Sequence, residues 1–237
     1  MDKNKIFRVG IDRLSLYNFK INKMCDGLVI NTSNDTFSQE STHVKDELFS
    51  LDTSVRVFKN GEVREFKTIT FNPNKILHGQ NVHNCREELI DALFELEKIL
   101  NERGIEIDFT EAKINNIEIN QNIGIDFKEL NEVFLLFFSQ KNNSKATFRN
   151  TDNIKFMQKL KSESFFYKNT ALKIRAYDKT AEVNDLEVLN FPVTRVKYMF
   201  ERQTYSYFLK KLSQDNTLQT LIGNIELIDY MFIYYLK

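Results

Sequence analysis

The sequence predicts an α+β fold: a central antiparallel sheet with helices packed mainly on one face. Three observations carry that expectation. Asn60-Gly61 lies between two alternating runs, Ser54–Phe58 and Glu62–Phe71. Asn-Gly is the strongest short-range hairpin signal, because both residue types tolerate the positive φ that tight hairpin turns require. Apolar residues recur at helical spacing over Asn84–Arg103. Ala112–Ile123 alternates Ile114, Ile117 and Ile119 with polar residues, and helical spacing over Asp126–Phe138 follows. Strand, hairpin, helix, strand and helix in that order describe an antiparallel sheet that buries one face under helices.

Each element has its own signal. Phe7–Ile21 alternates through Val9, Ile11, Leu14, Leu16 and Phe19, with a break at Asp12–Arg13. Asp26–Leu51 is polar and weakly periodic, and reads as a long loop or an inserted element. Asn72-Pro73-Asn74 stops the strand that follows the hairpin. The helix over Asn84–Arg103 places Cys85, Leu89, Leu93, Leu96 and Leu100 on one face, with Ile90 and Phe94 widening it. Glu87, Glu88 and Asp91 near its start and Lys98 and Arg103 near its end suit the helix dipole, and Gly104 suits a C-cap. The next helix faces inward with Leu130, Val133, Phe134 and Phe137.

Beyond it, Lys141–Arg149 reads as a turn and short strand, and Ser164–Lys168 and Leu172–Tyr177 as strands joined at Asn169-Thr170. Val183–Phe191 reads as a loop, Val193–Gln203 as a strand and Tyr205–Leu212 as a helix. Leu218–Lys237 reads as one helix, amphipathic to largely apolar, that packs on the domain or docks a partner. The expected organisation is one domain over residues 1–213, with 214–237 packing on it or leading to a further domain.

At 237 residues and 42% hydrophobic content the chain can bury a substantial core. Seven Gly and two Pro argue against long flexible linkers. Cys25 and Cys85 form no CxxC pair, which suits a reducing cytoplasm. The charged start, MDKNKIFRVGID, lacks the apolar stretch of a signal peptide, and no apolar run is long enough to span a bilayer. Net charge is zero, yet Met1–Gln140 carries 17 basic against 23 acidic residues and Lys141–Lys211 carries 15 against 7. A neutral chain can therefore present a basic face to a polyanion, or simply a set of solvated lysines.

Phosphate-loop, dinucleotide, HExxH, GxSxG and zinc-cluster motifs are missing. His78 and His83 lack the spacing of two ligands on one helix or strand face, and His43 stands alone, which disfavours a histidine metal site. Two stretches do carry chemistry. On the strand over Ala112–Ile123, Asn116, Glu118 and Asn120 share one face. Burying such a carboxylate is costly without a partner. A hard divalent cation would supply one, and a sheet face open to solvent would remove the need. Ala171–Glu182, ALKIRAYDKTAE, is a strand of alternating apolar and basic residues ending in Tyr177, Asp178, Lys179 and Glu182.

Taken together, IEIN (Ile117–Asn120), KIRAYDKTAE and TRVKYMFER resemble the ordered strand motifs of rolling-circle replication initiators. The likeness is to the branch with filamentous-phage replication endonucleases, Rep-trans plasmid initiators and some relaxases. The opening GIDRLSLYNF is similar to their first strand, so the resemblance runs from Gly10 to about Leu212. It implies an origin-specific DNA nicking-joining endonuclease of a plasmid or phage. Tyr177 would be the nucleophile, leaving a 5′-phosphotyrosyl link and a free 3′-OH.

The resemblance also implies Mg²⁺ or Mn²⁺ bound at Glu118. Lys179 would lower the tyrosine pKa or hold the phosphate, and Glu182 would be a second acid or base. Lys173, Arg175, Arg195, Lys197 and Arg202 would contact DNA, giving affinity rather than sequence choice. The implied partners are origin DNA, single-stranded or as a hairpin, with a host helicase and polymerase and a second copy of the chain. One departure stands out: Lys197 falls where the third motif has a glutamate, and Glu201 is the only nearby substitute as a metal ligand. That departure opens an alternative, a DNA-binding module of the same fold with weak or no nicking that represses or recruits a replisome. A protein-interaction domain, resting on the apolar C-terminal helix and the zero net charge, is the third reading.

Overall fold

The structure is a computed structural model that describes residues 8–24, 38–58, 60–81, 84–130, 164–168, 173–182 and 192–236. Ten strands are described among these: β1 (Gly10–Tyr17), β2 (Lys20–Lys23), β3 (Ser38–Lys45), β4 (Phe49–Val57), β5 (Val63–Phe71), β6 (Glu106–Asp108), β7 (Lys113–Ile123), β8 (Ser164–Lys168), β9 (Lys173–Asp178) and β10 (Thr194–Glu201). Eight of them form one sheet in the order β3-β4-β5-β1-β7-β10-β9-β8. Every neighbouring pair is antiparallel. β2 and β6 form a separate ribbon. The expected α+β class with a central antiparallel sheet is what the chain adopts.

Alternation decides which face is dry. The register aligns Phe49, Phe71, Leu14, Ile117 and Phe200 in one row across five strands. A second row runs Val44, Leu51, Ile69, Leu16 and Ile114. Ile11, Ile119, Tyr198 and Ile174 make a third. All of these side chains are buried. Each full burial of such a residue stabilises by about 1.5–3 kcal/mol, and a one-residue slip would turn every one to the opposite face.

The helices are α1 (Pro73–His78), α2 (Leu89–Glu102), α3 (Lys179–Glu182), α4 (Arg202–Lys211), α5 (Leu218–Gly223) and α6 (Leu227–Leu236). Leu93, Leu96 and Leu100 of α2, Tyr205 and Phe208 of α4, and Met231 and Phe232 of α6 join the core made by the three rows. Phe232 meets Tyr198 edge-on at 4.6 Å. The C-terminal segment is also tied by polar contacts. Leu218 N–H donates to Ala112 O at 2.9 Å, and Arg86 pairs with Asp229 through both guanidinium nitrogens.

Several elements differ from the sequence reading. Residues within Asp26–Leu51 supply β3 and the start of β4, so the edge hairpin is longer than Ser54–Phe58 implies. The residues that stop β5 also start α1. Asn72 accepts the Lys75 N–H with its side chain, Pro73 opens the helix, and Gly79 closes it at φ 66°. Helix α2 begins at Leu89 because Cys85 is used otherwise: its carbonyl accepts the Ile11 N–H at 2.7 Å, as a bridge beside β1. Ile90 and Phe94 do not widen the buried stripe but are 43% and 66% exposed.

The C-terminal helix is two helices, broken after Gly223 where Asn224 leaves the helical region at φ −143°, ψ 68°. Residues 127–130 are helical, while the rest of the expected second helix, Lys141–Arg149, Asn169-Thr170 and Val183–Phe191 lie outside the described residues. Among the described residues no helix is long and apolar enough to cross a membrane.

Gly10 is required by this arrangement rather than by its φ. A Cβ there would sit 2.6 Å from Asn84 Cβ and 2.8 Å from the Cys85 carbonyl oxygen, the backbone that bridges to β1. Gly10→Ala is therefore expected to destabilise by about 1–3 kcal/mol, the scale of overpacking. Urea unfolding checks this, and an unchanged midpoint would mean that residues 84–85 do not press on β1.

Candidate functional site

The opposite sheet face holds the polar residues, and the same register orders them. Asn122, Arg195 and Tyr177 lie in one row across β7, β10 and β9. Asn120, Lys197 and Arg175 form the next. Arg13, Glu118, Met199 and Lys173 form a third. Tyr177 and Glu118 thus leave the same face. Two strand spacings and four residues of register separate them, on the order of 16 Å between Cα atoms.

The centre of this face is a residue for which the sequence reading assigns no role. Asp12 is the extra residue of a bulge in β1, where pairing with β7 shifts between Ile11 and Arg13. Bulges re-aim side chains, and this one points a carboxylate across two strands. Asp12 Oδ1 accepts from Asn120 Nδ2 at 3.0 Å and from Arg195 Nη1 at 3.1 Å. Its Oδ2 accepts from Lys197 Nζ at 2.5 Å. Arg195 also donates through Nε to Asn122 Oδ1 at 2.7 Å and through Nη1 to Asn81 Oδ1 at 3.0 Å.

Asp12, Asn120, Asn122 and Arg195 are all at least 98% buried. Burial alone would raise the Asp12 pKa, but Lys197 and Arg195 together outweigh it and hold the carboxyl below its ordinary value. The sequence signal for this residue is the break at Asp12–Arg13, where two polar residues interrupt an alternating strand.

Tyr177 borders the cluster. Its ring has the Arg175 guanidinium 4.9 Å from the centroid and Lys197 Nζ at 5.4 Å, both cation–π distances. It is 5% exposed but lies outside the apolar core. Lys179, at the start of α3, is also buried, and its backbone N–H donates to Val193 O at 2.8 Å. Glu182 ends α3, and its side chain lies outside the described residues.

Glu118 is 7% exposed, with Arg13 Nη1 at 3.6 Å as an ion-pair partner. Burial pushes its pKa up, and Arg13 and then Lys197 oppose the rise without cancelling it. Glu201 is exposed and takes Lys173 Nζ at 2.5 Å.

Several assigned roles change with these positions. Arg195 is fully buried, and its guanidinium donates to Asp12, Asn122 and Asn81, so it braces the sheet. Lys173 is engaged by Glu201. Arg175 stays exposed beside Tyr177, and Arg202 is exposed at the other end of the face. The expected metal ligands Glu118 and Glu201 each face a cation, Arg13 and Lys173 respectively. Among the described residues no group of three or more His, Cys, Asp or Glu side chains could hold a metal ion. Both Asp12 oxygens carry cations, and Lys197 brings positive charge to the space where a metal would bridge the carboxylates. Mg²⁺ and Mn²⁺ want near-octahedral oxygen ligation, and this donor set does not fit them.

A second feature occupies the β4-β5-β1 half of the face, which Thr70 Oγ1 links to Ser15 Oγ at 3.0 Å. Arg56 lies over Phe66 at 4.9 Å, Arg64 over Phe58 at 4.9 Å and Arg202 over Tyr17 at 4.1 Å. Phe66 and Phe58 are 42% and 38% exposed. Tyr17, Phe66, Lys67, Asn115 and Arg202 are among the residues lining a cleft of about 310 Å³ there. Exposed rings capped by guanidinium groups suit flat, π-faced, negatively charged ligands. A larger cleft of about 460 Å³ lies beside the β2–β6 ribbon, lined by Lys23, Glu97, Asn101, Gly104, Glu106 and Ile107, and brings together no comparable chemistry. Cys85 is buried and its thiol is pushed up to about 12, chiefly by burial and then by Glu88, so it is no nucleophile.

No family model matches this chain, and no curated protein matches it. Among solved structures, the rolling circle replication initiator protein from Geobacillus stearothermophilus aligns over 87% of this chain and 78% of its own. The TM-score is 0.38 and the identity 8%, values that assign this chain neither a family nor an activity.

Glu118 and Asp12 have opposite pH signatures. The folded chain binds the Glu118 proton more tightly than the unfolded chain does, so stability is lost as pH rises from the ordinary carboxylate value through the folded one. Glu118→Gln is expected to stabilise the protein at pH 7 and to leave it unchanged in acid, where both states are protonated. Each kcal/mol released should raise Tm by about 2–4 °C. Thermal melts across pH check this, and destabilisation at pH 7 would mean that the Arg13 pair outweighs the burial cost.

Proposed function

We propose that the chain is a DNA strand-transfer protein of the rolling-circle initiator kind, holding a single strand across the polar sheet face and attacking one phosphodiester with Tyr177. The observation that carries this reading is the placement of Tyr177 between Arg175 and Lys197, on the same face as Glu118. The three strands whose sequences resemble initiator motifs are neighbours, in the order β7, β10 and β9. Tyrosine at its ordinary pKa of about 10 is a weak nucleophile at neutral pH, so the step needs a base to take the phenolic proton.

In the reaction Tyr177 Oη forms a bond to phosphorus as the P–O3′ bond breaks. The phenolic proton passes to a base, and the departing 3′ oxygen takes up a proton to become the hydroxyl a polymerase extends. DNA is then held as a 5′-phosphotyrosyl ester, and attack by a 3′-OH reverses the step and rejoins the strand. Lys179, which opens α3, and Glu182, which ends it, are the candidates for the proton transfers. Exposed Arg175 steadies the backbone as a phosphate contact.

The Arg–aromatic pairs over Phe66, Phe58 and Tyr17 extend the track. Base stacking on such rings contributes about 1–3 kcal/mol per base and tolerates any sequence, which points to a single strand rather than a duplex. Origin choice would come from base-edge contacts elsewhere. A second reading, DNA binding without cleavage, is favoured by the 5% exposure of Tyr177 and by the missing carboxylate at Lys197.

Incubation with single-stranded oligonucleotides, followed by denaturing electrophoresis, separates the two. The strand-transfer reading expects a covalent adduct that Tyr177→Phe abolishes; binding with no adduct under any ionic condition would leave only the binding module. Phe66→Ala and Tyr17→Ala are each expected to weaken single-strand binding about tenfold with little effect on folding. Equal affinity for all variants would remove the track from the account.

A further inference from the structure

We propose that Lys197, gripped by Asp12, takes the place of a divalent cation, so that this face holds a DNA phosphate without metal. The inference rests on the reading of the polar face as a DNA site and concerns how the phosphate is held there. In a metal-assisted site, a cation bridges protein carboxylates on one side and phosphate oxygens on the other. Here a carboxylate of the required kind exists, but its bridging partner is an ammonium: Asp12 Oδ2 accepts from Lys197 Nζ at 2.5 Å. An ammonium has three donors, and Asp12 takes one, so the same nitrogen can also donate to a phosphate oxygen.

Geometry and charge support the exchange. The Lys197 side chain is 16% exposed against 3% for Asp12, so the cation sits between a buried anion and the surface. Tyr177 is adjacent, its ring centroid 5.4 Å from Nζ, so a phosphate held by Lys197 lies beside the phenol. Arg195 already offsets the single negative charge of Asp12 from beneath. Lys197 therefore adds net positive charge to the site instead of merely neutralising a carboxylate. A divalent ion placed there would meet Lys197 and Arg175 with only Glu118 as an additional described acid, and the pKa of that acid is raised.

The test measures binding as well as chemistry. Mn²⁺ is titrated into the wild-type protein with detection by electron paramagnetic resonance, and single-stranded oligonucleotide affinity is compared in EDTA and in MgCl₂. The expected results are no stoichiometric Mn²⁺ binding and equal DNA affinity in the two buffers. Lys197→Met should lose at least about tenfold in affinity in both, the scale of a charge-assisted phosphate contact. Lys197→Arg should retain most of it, which guards against a variant that fails to fold. Lys197→Glu, which restores a carboxylate, should gain Mn²⁺ binding and become metal-dependent for DNA.

Stoichiometric Mn²⁺ binding by the wild type, metal-dependent affinity, or full affinity in Lys197→Met would each overturn the proposal. A tyrosyl adduct formed only with Mn²⁺ would overturn it while leaving strand transfer intact. Metal-free, Lys197-dependent binding with no adduct under any condition would do the reverse.

Discussion

The Asp12 carboxylate sets the terms for everything on the polar face. Two cations from β10, the Asn120 amide from β7 and the Asn81 side chain converge on it. Removing one member of a buried ion pair costs about 3–5 kcal/mol, because the surviving charge stays desolvated. The cluster is therefore more than a local contact. It brings together the bulge in β1, the buried Arg195 and the Asn122 and Asn81 amides that accept from the guanidinium.

That constraint explains why one sheet can carry opposite demands. The apolar rows gain from exclusion of water and tolerate little change in register. Opposite them, charges are held in low dielectric, where electrostatic interactions are stronger than in water. Asp12 is buried with a surplus of cations, whereas Glu118 is buried with an insufficient one, and their pKa values move in opposite directions for that reason. The arginine–aromatic pairs at the far end are different in kind, with Phe66 and Phe58 open to solvent.

Much of the fold was legible because periodicity follows from elementary geometry. Asn60-Gly61, the Leu89–Leu100 stripe and the alternation through Ile114–Ile119 each declared their element, and the rows of the dry face follow from them. What sequence alone hid was non-local. Asp26–Leu51 reads as a long loop or an inserted element because an edge hairpin needs few apolar residues, and Asn72-Pro73 reads only as a stop because strand breakers and helix starters are the same residue types. On the polar face, motif order singles out Tyr177, Glu118 and Lys197 as candidates, but Asp12 is visible only as a break in alternation. Arg195 looked like a surface cation because nothing in TRVKYMFER reveals that Asp12, Asn122 and Asn81 enclose it. Burial is a property of three strands, not of one.

Asp12 and Lys197 act as a unit, and a double-mutant cycle with Asp12→Asn and Lys197→Met measures their coupling directly. Unfolding free energies at pH 7 are expected to give a coupling above about 1.5 kcal/mol, in the range of close buried charge pairs. That coupling should fade as the pH falls through the folded-state pKa of Asp12, since the carboxylate's contribution is present above its ordinary value and lost on protonation. Effects that add to within about 0.5 kcal/mol at pH 7 would show that the two residues do not share an interaction, and the polar face would lose its organising contact.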